Sequence, residues 1–497
     1  MFGRRAIIVL CIVVLIVGGS LTAYEFILVP GGSVCQGIAG GSIVRGTTVQ
    51  ATFGAVTEFR LPGLDRWPNA ITTASDGSVW FAEQEVPGVA HLFPNNGTLV
   101  EYAWPGYPAP KPPDCLQSVS VSGIAIWDGR VWAADEFSNA IVGVNPADGS
   151  AKVLNTTGRA DFPYWLAVGP DGALWFTSDN TPAVLGRIET DMTLSVISLA
   201  GLGSDEPLQL DFVNSSLAFL TTINQSINSS THACVCNGHV YSFDPSIVAA
   251  TIAPEKVGSG FNLVLPTSVS YADGVVWVAQ HGASSVVGYD TETGAWATYP
   301  TSRVPWTNIT LPLLVETNSG KVWFNEHQAN KIGLLDPKAG TLTEYSESDP
   351  PAANFSGVQN DLSISAAADG LWFTSMTGNY VGFIDPNIGP TFLVGVAGAN
   401  ASTVPPGGNA TFTVKVSGTW NGKLTVSSSD SEDYQSIPES IRVVPSMNTI
   451  EPGENSSVAL RVTVDVGGTL RGGSYTVAVT FSDDLVQQTA YLFVKVT

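Results

Sequence analysis

The sequence predicts an all-β protein: a seven-bladed β-propeller over residues 55–392, a C-terminal immunoglobulin-like β-sandwich over residues 393–497, and one N-terminal transmembrane helix. Three observations support this prediction. A phrase built on Asp-Gly and Trp recurs along the middle of the chain, the tail alternates apolar and polar residues, and the N-terminus is an uncharged apolar run. The composition agrees, because 51 glycines, 31 prolines and only 13% charged residues favour short strands and tight turns.

The first segment of the chain has the features of a membrane anchor. Residues 6–23 carry no charge, and a helix of that length rises about 27 Å, close to the hydrocarbon thickness of a bilayer. Arg4 and Arg5 favour a cytoplasmic stub at 1–5, with all later residues outside. A cleaved signal peptide is the alternative, but its apolar core is usually shorter. We therefore predict a signal anchor, a linker over 24–54, and a single-pass protein of the cell membrane whose bulk is extracytoplasmic.

Potential glycosylation sites and cysteines agree with an exterior location. Four cysteines follow the apolar run, and we predict a Cys35–Cys115 disulfide that ties the linker to the first blade. The close pair Cys234-Val-Cys236 is either a small disulfide ring or a metal site, for which a single Cys-x-Cys is weak evidence. Ten Asn-x-Ser/Thr sequons predict a glycoprotein. They lie at Asn96, Asn155, Asn214, Asn224, Asn228, Asn308, Asn354, Asn400, Asn409 and Asn455.

The net charge argues against one class of partner. The chain has 43 acidic and 21 basic residues, which give a formal charge of −22. An acidic surface repels phosphate backbones, so we expect no nucleic acid as a partner. The acidity is explained by a solvated surface suited to salt or low pH, with cation binding as the alternative.

The repeat is the main evidence for a propeller. Its form is Asp-Gly-x-φ-Trp-Phe, and its copies are spaced 43 to 59 residues apart, the period of propeller blades. Asp-Gly predicts a tight hairpin turn, and the aromatic strand that follows it predicts a large side chain buried between blades. A degraded copy without Trp fills the widest gap. The seven anchor positions are Trp80, Trp132, Trp175, Ala218, Trp277, Trp323 and Trp372.

Two flanking segments complete this organisation. The strand AVTEFRLP at 55–62 precedes the first copy but resembles the closing strand of a repeat, so we predict that it completes the last blade. The tail after residue 392 has no copy of the phrase. Its runs at 409–418, 456–466 and 473–483 alternate apolar and polar residues between Gly/Pro turns, as expected for about seven half-buried strands of an immunoglobulin-like sandwich.

The repeat resembles that of the virginiamycin B (streptogramin) lyase family, whose blades read Trp-Phe-Thr-Glu-x-x-x-Asn-x-Ile-Gly-Arg-Ile. The best match is WFNEHQANKIGLLDP at 323–337, and the resemblance covers about residues 55–392. It implies a seven-bladed propeller. It also implies lyase chemistry with Mg²⁺ at the mouth of the central channel, a catalytic His in a Pro-His-Gly-Ile turn, and a second His that helps hold the metal.

This sequence departs from that pattern at the catalytic turns. None of the equivalent positions is His; they are Asn69, Ser122, Tyr164, Leu208, Thr267, Leu313 and Leu362. We therefore predict no catalytic residue, and we take Asn69, Tyr164 and Gln280 as ligand-binding candidates at the channel mouth. His281 and His327 follow the acidic positions by one residue, and strand alternation predicts that they point away from them.

The acidic position of the motif is better retained. It holds Glu83, Asp135 and Glu326, with Gln280 in a fourth copy. The resemblance implies that these carboxylates could hold Mg²⁺ or Ca²⁺, since hard cations prefer oxygen ligands. The alternative is that they are solvated or bonded to backbone amides.

Two functions follow from these features. The leading hypothesis is a non-catalytic, surface-displayed propeller that binds a glycan, an envelope component or another protein. The rival is a metal-dependent lyase or lactonase that acts on cyclic esters through Glu83, Asp135 and Glu326. A purely architectural envelope protein is a third possibility, because fold alone does not fix function.

Overall fold

The computed structural model describes residues 40–63, 66–84, 88–105, 121–227, 234–247, 249–259, 261–302, 310–327, 329–348, 361–420, 422–430, 441–483 and 486–497. These residues form strands and turns, with no helix among them. Within these ranges no helix is therefore long and apolar enough to cross a membrane. The predicted anchor at 6–23, Cys35 and Cys115 lie outside the described ranges, as do the side chains of Cys234 and Cys236.

Three strands precede the first complete blade: β1 (Ile43–Thr47), β2 (Val49–Phe53) and β3 (Val56–Arg60). Blades 1 to 3 each consist of four consecutive strands. Blade 1 consists of β4 (Pro68–Thr73), β5 (Val79–Glu83), β6 (Gly88–Phe93) and β7 (Thr98–Ala103). Blade 2 consists of β8 (Val121–Trp127), β9 (Arg130–Asp135), β10 (Ala140–Val144) and β11 (Ala151–Asn155). Blade 3 consists of β12 (Pro163–Val168), β13 (Leu174–Ser178), β14 (Val184–Ile188) and β15 (Leu194–Leu199).

The remaining blades follow the same antiparallel order. Blade 4 has β16 (Glu206–Asn214), β17 (Leu217–Ile227), β18 (Cys234–Phe243) and β20 (Glu255–Lys256), while β19 (Thr251–Ile252) pairs in parallel with β15 of blade 3. Blade 5 has β21 (Pro266–Ala272), β22 (Val275–Gln280), β23 (Ser285–Asp290) and β24 (Trp296–Pro300). Blade 6 has β25 (Pro312–Asn318), β26 (Lys321–Glu326), β27 (Lys331–Asp336) and β28 (Thr341–Ser346). Blade 7 has β29 (Asp361–Ala366), β30 (Leu371–Ser375) and β31 (Tyr380–Ile384).

The seven sheets form a closed ring. The first strand of each sheet contacts the first strand of the next, in the cycle β4, β8, β12, β16, β21, β25, β29 and back to β4. These inner strands all begin at one face of the ring, here called the upper face, and end at the Asp-Gly turns of the lower face. The predicted anchor residues are buried between sheets, from Trp132 at 0% exposure to Trp372 at 5%. The ring confirms that the repeat builds a seven-bladed propeller.

The first and last blades show how the ring is closed. Strand β3 pairs antiparallel with β31, from Val56 opposite Ile384 to Arg60 opposite Tyr380, and so supplies the fourth strand of blade 7. This confirms the prediction for the strand at 55–62. Residues 43–53 were expected in the linker, but β1 extends blade 1 beside β7 and β2 extends blade 7 beside β3. Both are edge additions with few large apolar residues, which explains why they carry no repeat signal.

The tail forms a two-sheet sandwich of nine strands. They are β32 (Phe392–Val396), β33 (Ala401–Val404), β34 (Asn409–Trp420), β35 (Leu424–Asp430), β36 (Ile441–Pro445), β37 (Thr449–Ile450), β38 (Gly453–Val466), β39 (Gly473–Ser482) and β40 (Val486–Val496). One sheet has the order β32-β34-β38-β36, and its apolar face shares a core with β33, β35, β39 and β40. The other sheet is continuous with the propeller, because β40 pairs antiparallel with β28 of blade 6.

The junction between the two units is buried and specific. The Tyr491 hydroxyl donates to the carbonyl of Pro300 at 2.7 Å, and the Gln488 amide donates to the Thr343 hydroxyl at 2.8 Å. The ring of Tyr299 lies edge-on to that of Tyr491. The sandwich is therefore joined to blades 5 and 6 by a shared sheet as well as by side chains.

Candidate functional site

The turn positions at the upper face pack and link blades. The Asn69 amide donates to the carbonyl of Val121 in the next blade at 2.6 Å, and the Thr267 hydroxyl donates to the carbonyl of Leu313 at 2.6 Å. Leu208 and Leu313 are buried. Tyr164 packs against Leu208, and burial raises the pKa of its phenol, with a further contribution from nearby carboxylates. Asn69 and Tyr164 are thus engaged in blade packing; the side chain of Leu362 lies outside the described part of the chain.

The acidic positions of the repeat lie in separate blades. Glu83, Asp135, Gln280 and Glu326 each end the second strand of their own blade, and all four are buried. Gln280 accepts from the Val264 amide at 3.2 Å and donates to the Ser285 hydroxyl at 2.9 Å. Within the described ranges no three His, Cys, Asp or Glu side chains are grouped so that they could hold a metal ion. Each of the three carboxylates lies in the sheet of its own blade, and their joint role in holding a cation at the channel mouth stays a prediction.

Glu83 and Glu326 instead pair with glutamates of their own outer strands. Burial raises the pKa of Glu83 well above its usual range, and Glu101 raises it further. Burial likewise raises the pKa of Glu326, with Glu344 adding to the effect. Among the described residues, no hydrogen-bond donor reaches either oxygen of Glu83 or Glu326. Burial without a donor disfavours the charged carboxylate, so it favours the protonated form of both residues.

The outer-strand glutamates have a clear structural role. Each accepts a hydrogen bond from the segment that enters its blade from the preceding one. The Ser348 amide donates to Glu58 at 3.0 Å, the Arg66 guanidinium to Glu101 at 2.6 Å, and the Ser302 amide to Glu344 at 2.9 Å. These bonds secure three consecutive blade junctions, and they explain the recurring Glu in VTEF, LVEY and LTEY.

His281 and His327 come together between blades 5 and 6. Their ring centroids are 5.4 Å apart, the rings are perpendicular, and both residues are buried. Burial, together with the neighbouring His281, lowers the pKa of His327 to about 3. His327 is therefore neutral and part of the packing between blades.

A different group of polar side chains lies on the inner strands, around the ring axis. Inner strands of neighbouring blades are linked by side chains that accept backbone N–H groups: the Tyr271 amide donates to Asp211 at 3.1 Å, the Thr317 amide to Ser270 at 3.2 Å, and the Ala366 amide to Glu316. Asp211, Ser270 and Glu316 thus occupy the same level on the consecutive inner strands β16, β21 and β25.

These residues line a cavity of about 410 Å³ within the ring. Trp165 of β12 packs against apolar clusters on both sides of the axis, one from blades 3 and 4 and one from blades 6 and 7. Its indole therefore lies across the channel, above the level of Asp211 and Glu316. The result is an axial pocket with the indole of Trp165 at its upper end. Its lining is Trp165, Ala167, Gln209, Leu210, Asp211, Phe212, Val213, Val269, Ser270, Tyr271, Val315, Glu316 and Thr317.

The two carboxyls of the axial pocket are electrostatically unusual. Burial raises the pKa of Asp211 to about 6, and burial together with Asp211 raises that of Glu316 to about 7. The described lining contains no Lys, Arg or His to balance them. Two carboxyls with perturbed pKa values in a concave pocket are the pattern expected of a functional site.

Two of the inner strands carry a sequence signal for this pocket. The strands LQLDF (208–212) and LLVET (313–317) each carry one acidic residue between apolar neighbours, where SVSYA (268–272) and SISAA (363–367) carry Ser. A lone carboxylate in an inner strand, just before the turn that leads to the second strand, points to the axis of the ring.

A second cavity of about 350 Å³ lies between blades 5 and 6 near the lower face. Trp277, Trp296 and Tyr299 contribute to its lining, and Lys338 lies 3.5 Å from Asp273 at its edge. It contains neither the repeat's acidic positions nor the axial carboxyls.

Comparisons with known proteins match the fold. No protein-family model and no curated protein matches the chain. Among solved structures, it is similar to selenomethionine-substituted virginiamycin B lyase from Staphylococcus aureus, with 21% identity and a TM-score of 0.47 over 66% of this chain and 98% of that one. A streptogramin B lyase structure gives 20% identity and a TM-score of 0.46 over 66% and 97%. BamB from Moraxella catarrhalis gives 12% identity and a TM-score of 0.37 over 68% and 99%. The virginiamycin B lyase structure thus aligns with 66% of this chain, and the propeller assignment itself rests on the seven sheets of the ring.

Proposed function

We propose that this protein is a membrane-anchored, extracytoplasmic propeller that binds a ligand or partner without transforming it. The observation that carries the proposal is the axial pocket, which is lined by Trp165, Asp211 and Glu316. Its volume of about 410 Å³ is in the range of small-ligand sites. The pocket would receive a small molecule or a protruding side chain of an envelope component or protein.

The residues at the positions that catalysis would require favour a binding function over a catalytic one. A lyase or lactonase would need a base and an electrophile aimed at one substrate atom. The catalytic turn positions hold Asn, Ser, Tyr, Leu and Thr, and the buried carboxyls Glu83 and Glu326 are separated in different blades. The rival function, a metal-dependent lyase or lactonase that uses Mg²⁺ or Ca²⁺, therefore has less support from the site.

The exterior location is supported by the apolar run at 6–23 and by the sequons. Asn96, Asn155 and Asn214 are exposed, and their carbonyl oxygens accept the amide of the residue two positions on, which leaves the amide nitrogen for a glycan. The amide nitrogen of Asn224 instead donates to Ser204 and Asp205. We propose that the nine-stranded sandwich is an immunoglobulin-like spacer, held rigidly to blade 6 by β40.

The binding function is tested with the full chain in detergent. Immobilised wild type and the Asp211→Asn/Glu316→Gln double variant are compared for capture of envelope glycans and proteins, with Trp296→Ala as a probe of the second cavity. We expect capture to be lost in the double variant and kept in Trp296→Ala. The reverse pattern would place the site between blades 5 and 6. Turnover of a streptogramin or lactone that is lost in Glu83→Gln/Glu326→Gln would refute the non-catalytic proposal.

A further inference from the structure

We infer that the axial pocket binds an organic ammonium group, such as a lysine side chain or an alkylamine, between Asp211 and Glu316 and over the indole of Trp165. This inference rests on the proposed binding function and names the chemical class of the ligand. It draws on the charge of the lining, on a comparison of equivalent positions in other blades, and on the presence of the Trp165 indole in the lining.

The lining lacks a counter-charge. Two carboxyls share the pocket, and their described neighbours in the lining include no basic side chain. Glu316 accepts the Ala366 amide of the next blade, and Asp211 accepts the Tyr271 amide of the next blade and the Phe212 amide of its own strand. These backbone amides are neutral, so neither supplies a cationic partner for a carboxylate. A positively charged donor would satisfy both.

Equivalent positions show that the fold does not require carboxyls here. Ser270 accepts the Thr317 amide at 3.2 Å, and Ser365 accepts the Thr73 amide at 3.2 Å. A hydroxyl therefore suffices to link one inner strand to the next. Asp211 and Glu316 supply a charge in addition to that link, and burying this charge is unfavourable without a partner.

The shape and chemistry of the pocket favour an ammonium group over a metal ion. Ca²⁺ takes six to eight oxygen ligands and Mg²⁺ six, whereas this level of the pocket offers two carboxyls and the hydroxyls of Ser270 and Thr317, which are 2.9 Å apart. An ammonium group has three donors, which match two carboxylates and one hydroxyl. The aromatic face of Trp165 can also make a favourable cation–π contact with an organic cation.

Binding of a cation at this site is linked to proton release. Asp211 and Glu316 have pKa values raised to about 6 and about 7, and Tyr271 is the remaining titratable group of the lining. Both carboxyls must ionise to pair fully with the ammonium group. If both are required, affinity falls on the order of a hundredfold between pH 7.5 and pH 5.5.

The test is calorimetric titration of the full chain in detergent with Nα-acetyl-lysine methylamide. Its Nε-acetylated analogue, which has the same length but no charge, is the ligand control, and CaCl₂ and MgCl₂ are titrated separately. We expect the lysine probe to bind at pH 7.5, at least tenfold more weakly at pH 5.5, and with release of protons when buffers of different ionisation enthalpy are compared. The acetylated analogue should not bind.

Variants locate the binding. Asp211→Asn and Glu316→Gln keep the acceptor for the backbone amide, and each should weaken binding about tenfold or more, since a charged hydrogen-bond partner is lost. Asp369→Asn and Glu292→Gln, at exposed turns, are the matched controls and should bind as wild type. Thermal unfolding of each variant checks its fold, and the wild-type pH dependence and proton release test the inference without any variant.

Three outcomes would overturn the inference: equal binding of the charged and acetylated probes, unchanged binding in both pocket variants, or binding of CaCl₂ or MgCl₂ alone. If envelope partners are still captured through Asp211 and Glu316 while the lysine probe fails, the binding function stands and the ammonium class is wrong. If capture is also independent of both residues, the binding function itself fails.

Discussion

The third strand of most blades has a glycine that faces an aromatic ring of the second strand, and this pair offers a sharp test of how blades are built. The directly opposed pairs are Trp132 and Gly143, Phe176 and Gly186, Trp277 and Gly288, Phe324 and Gly333, and Phe373 and Gly382. A Cβ atom added at Gly333 would lie 2.2 Å from Cζ of Phe324, where ordinary contacts begin at 3.4 Å. Because Phe324 is 1% exposed, its ring cannot move into solvent.

We therefore predict that Gly333→Ala destabilises the protein. Overpacking a buried site typically costs about 1–3 kcal/mol, and the displacement required here, about 1 Å for a rigid ring, places this site in the upper part of that range. Replacing a strand glycine by alanine recovers roughly 0.5–1 kcal/mol of backbone entropy. The net expectation is a loss of about 2 kcal/mol, or a lower unfolding temperature by roughly 2–3 °C for a chain of this length.

The assay is thermal and urea unfolding of the full chain in detergent, followed by tryptophan fluorescence. Gly395→Ala is the matched control, because a Cβ at Gly395 in β32 of the sandwich meets no atom within 4 Å. It should unfold at the wild-type midpoint or slightly above it. A Gly333→Ala midpoint equal to that of Gly395→Ala would refute the packing argument. A smaller loss when Gly333→Ala is combined with Phe324→Leu would support it.

Three further results are expected. Phe59→Ala removes a buried ring of the closing strand β3 and should cost about 3–5 kcal/mol; an unchanged urea midpoint would mean that β3 does not secure the ring. Tyr491→Phe removes the hydrogen bond to Pro300 and should cost about 1 kcal/mol, with faster proteolytic release of the sandwich, whereas equal release rates would show that the bond does not hold the junction. Burial raises the pKa of Glu326, so the folded chain binds this proton more tightly than the unfolded one, and the resulting stability is present near pH 4.5 and lost as pH rises. Unfolding temperatures measured at increasing pH from pH 4.5 should therefore fall less in Glu326→Gln than in wild type, and parallel slopes would contradict the assignment.

The repeat made much of the propeller predictable. Asp-Gly turns and the aromatic strands after them are local signals, so the positions of Trp80, Trp175 and Trp323 between blades follow from the sequence. The closing strand was predictable for the same reason, because VTEF matches the outer strands of other copies. The degraded copy around Ala218 still forms a blade, since its neighbours impose the packing that its own residues only partly encode.

The candidate site was less predictable. How deeply a side chain is buried, and whether it faces the ring axis, depends on the packing of several strands together. Glu83, Asp135 and Glu326 were expected at a shared mouth from their common place in the repeat, yet that place is buried inside each sheet. The pocket residues Asp211 and Glu316 are about a hundred positions apart and meet only because their strands converge on the axis.

The sequence by itself determined the number of blades and the way in which the ring closes, because each blade is a local antiparallel unit whose turns and aromatics are encoded within about 50 residues. Tertiary structure alone decided three features: the continuation of blade 6 into the sandwich through β28 and β40, the burial of the repeat's carboxyls, and the pocket beneath Trp165. The physical reason is that edge pairing, desolvation and axial convergence depend on contacts between residues far apart in the chain, which no local pattern encodes.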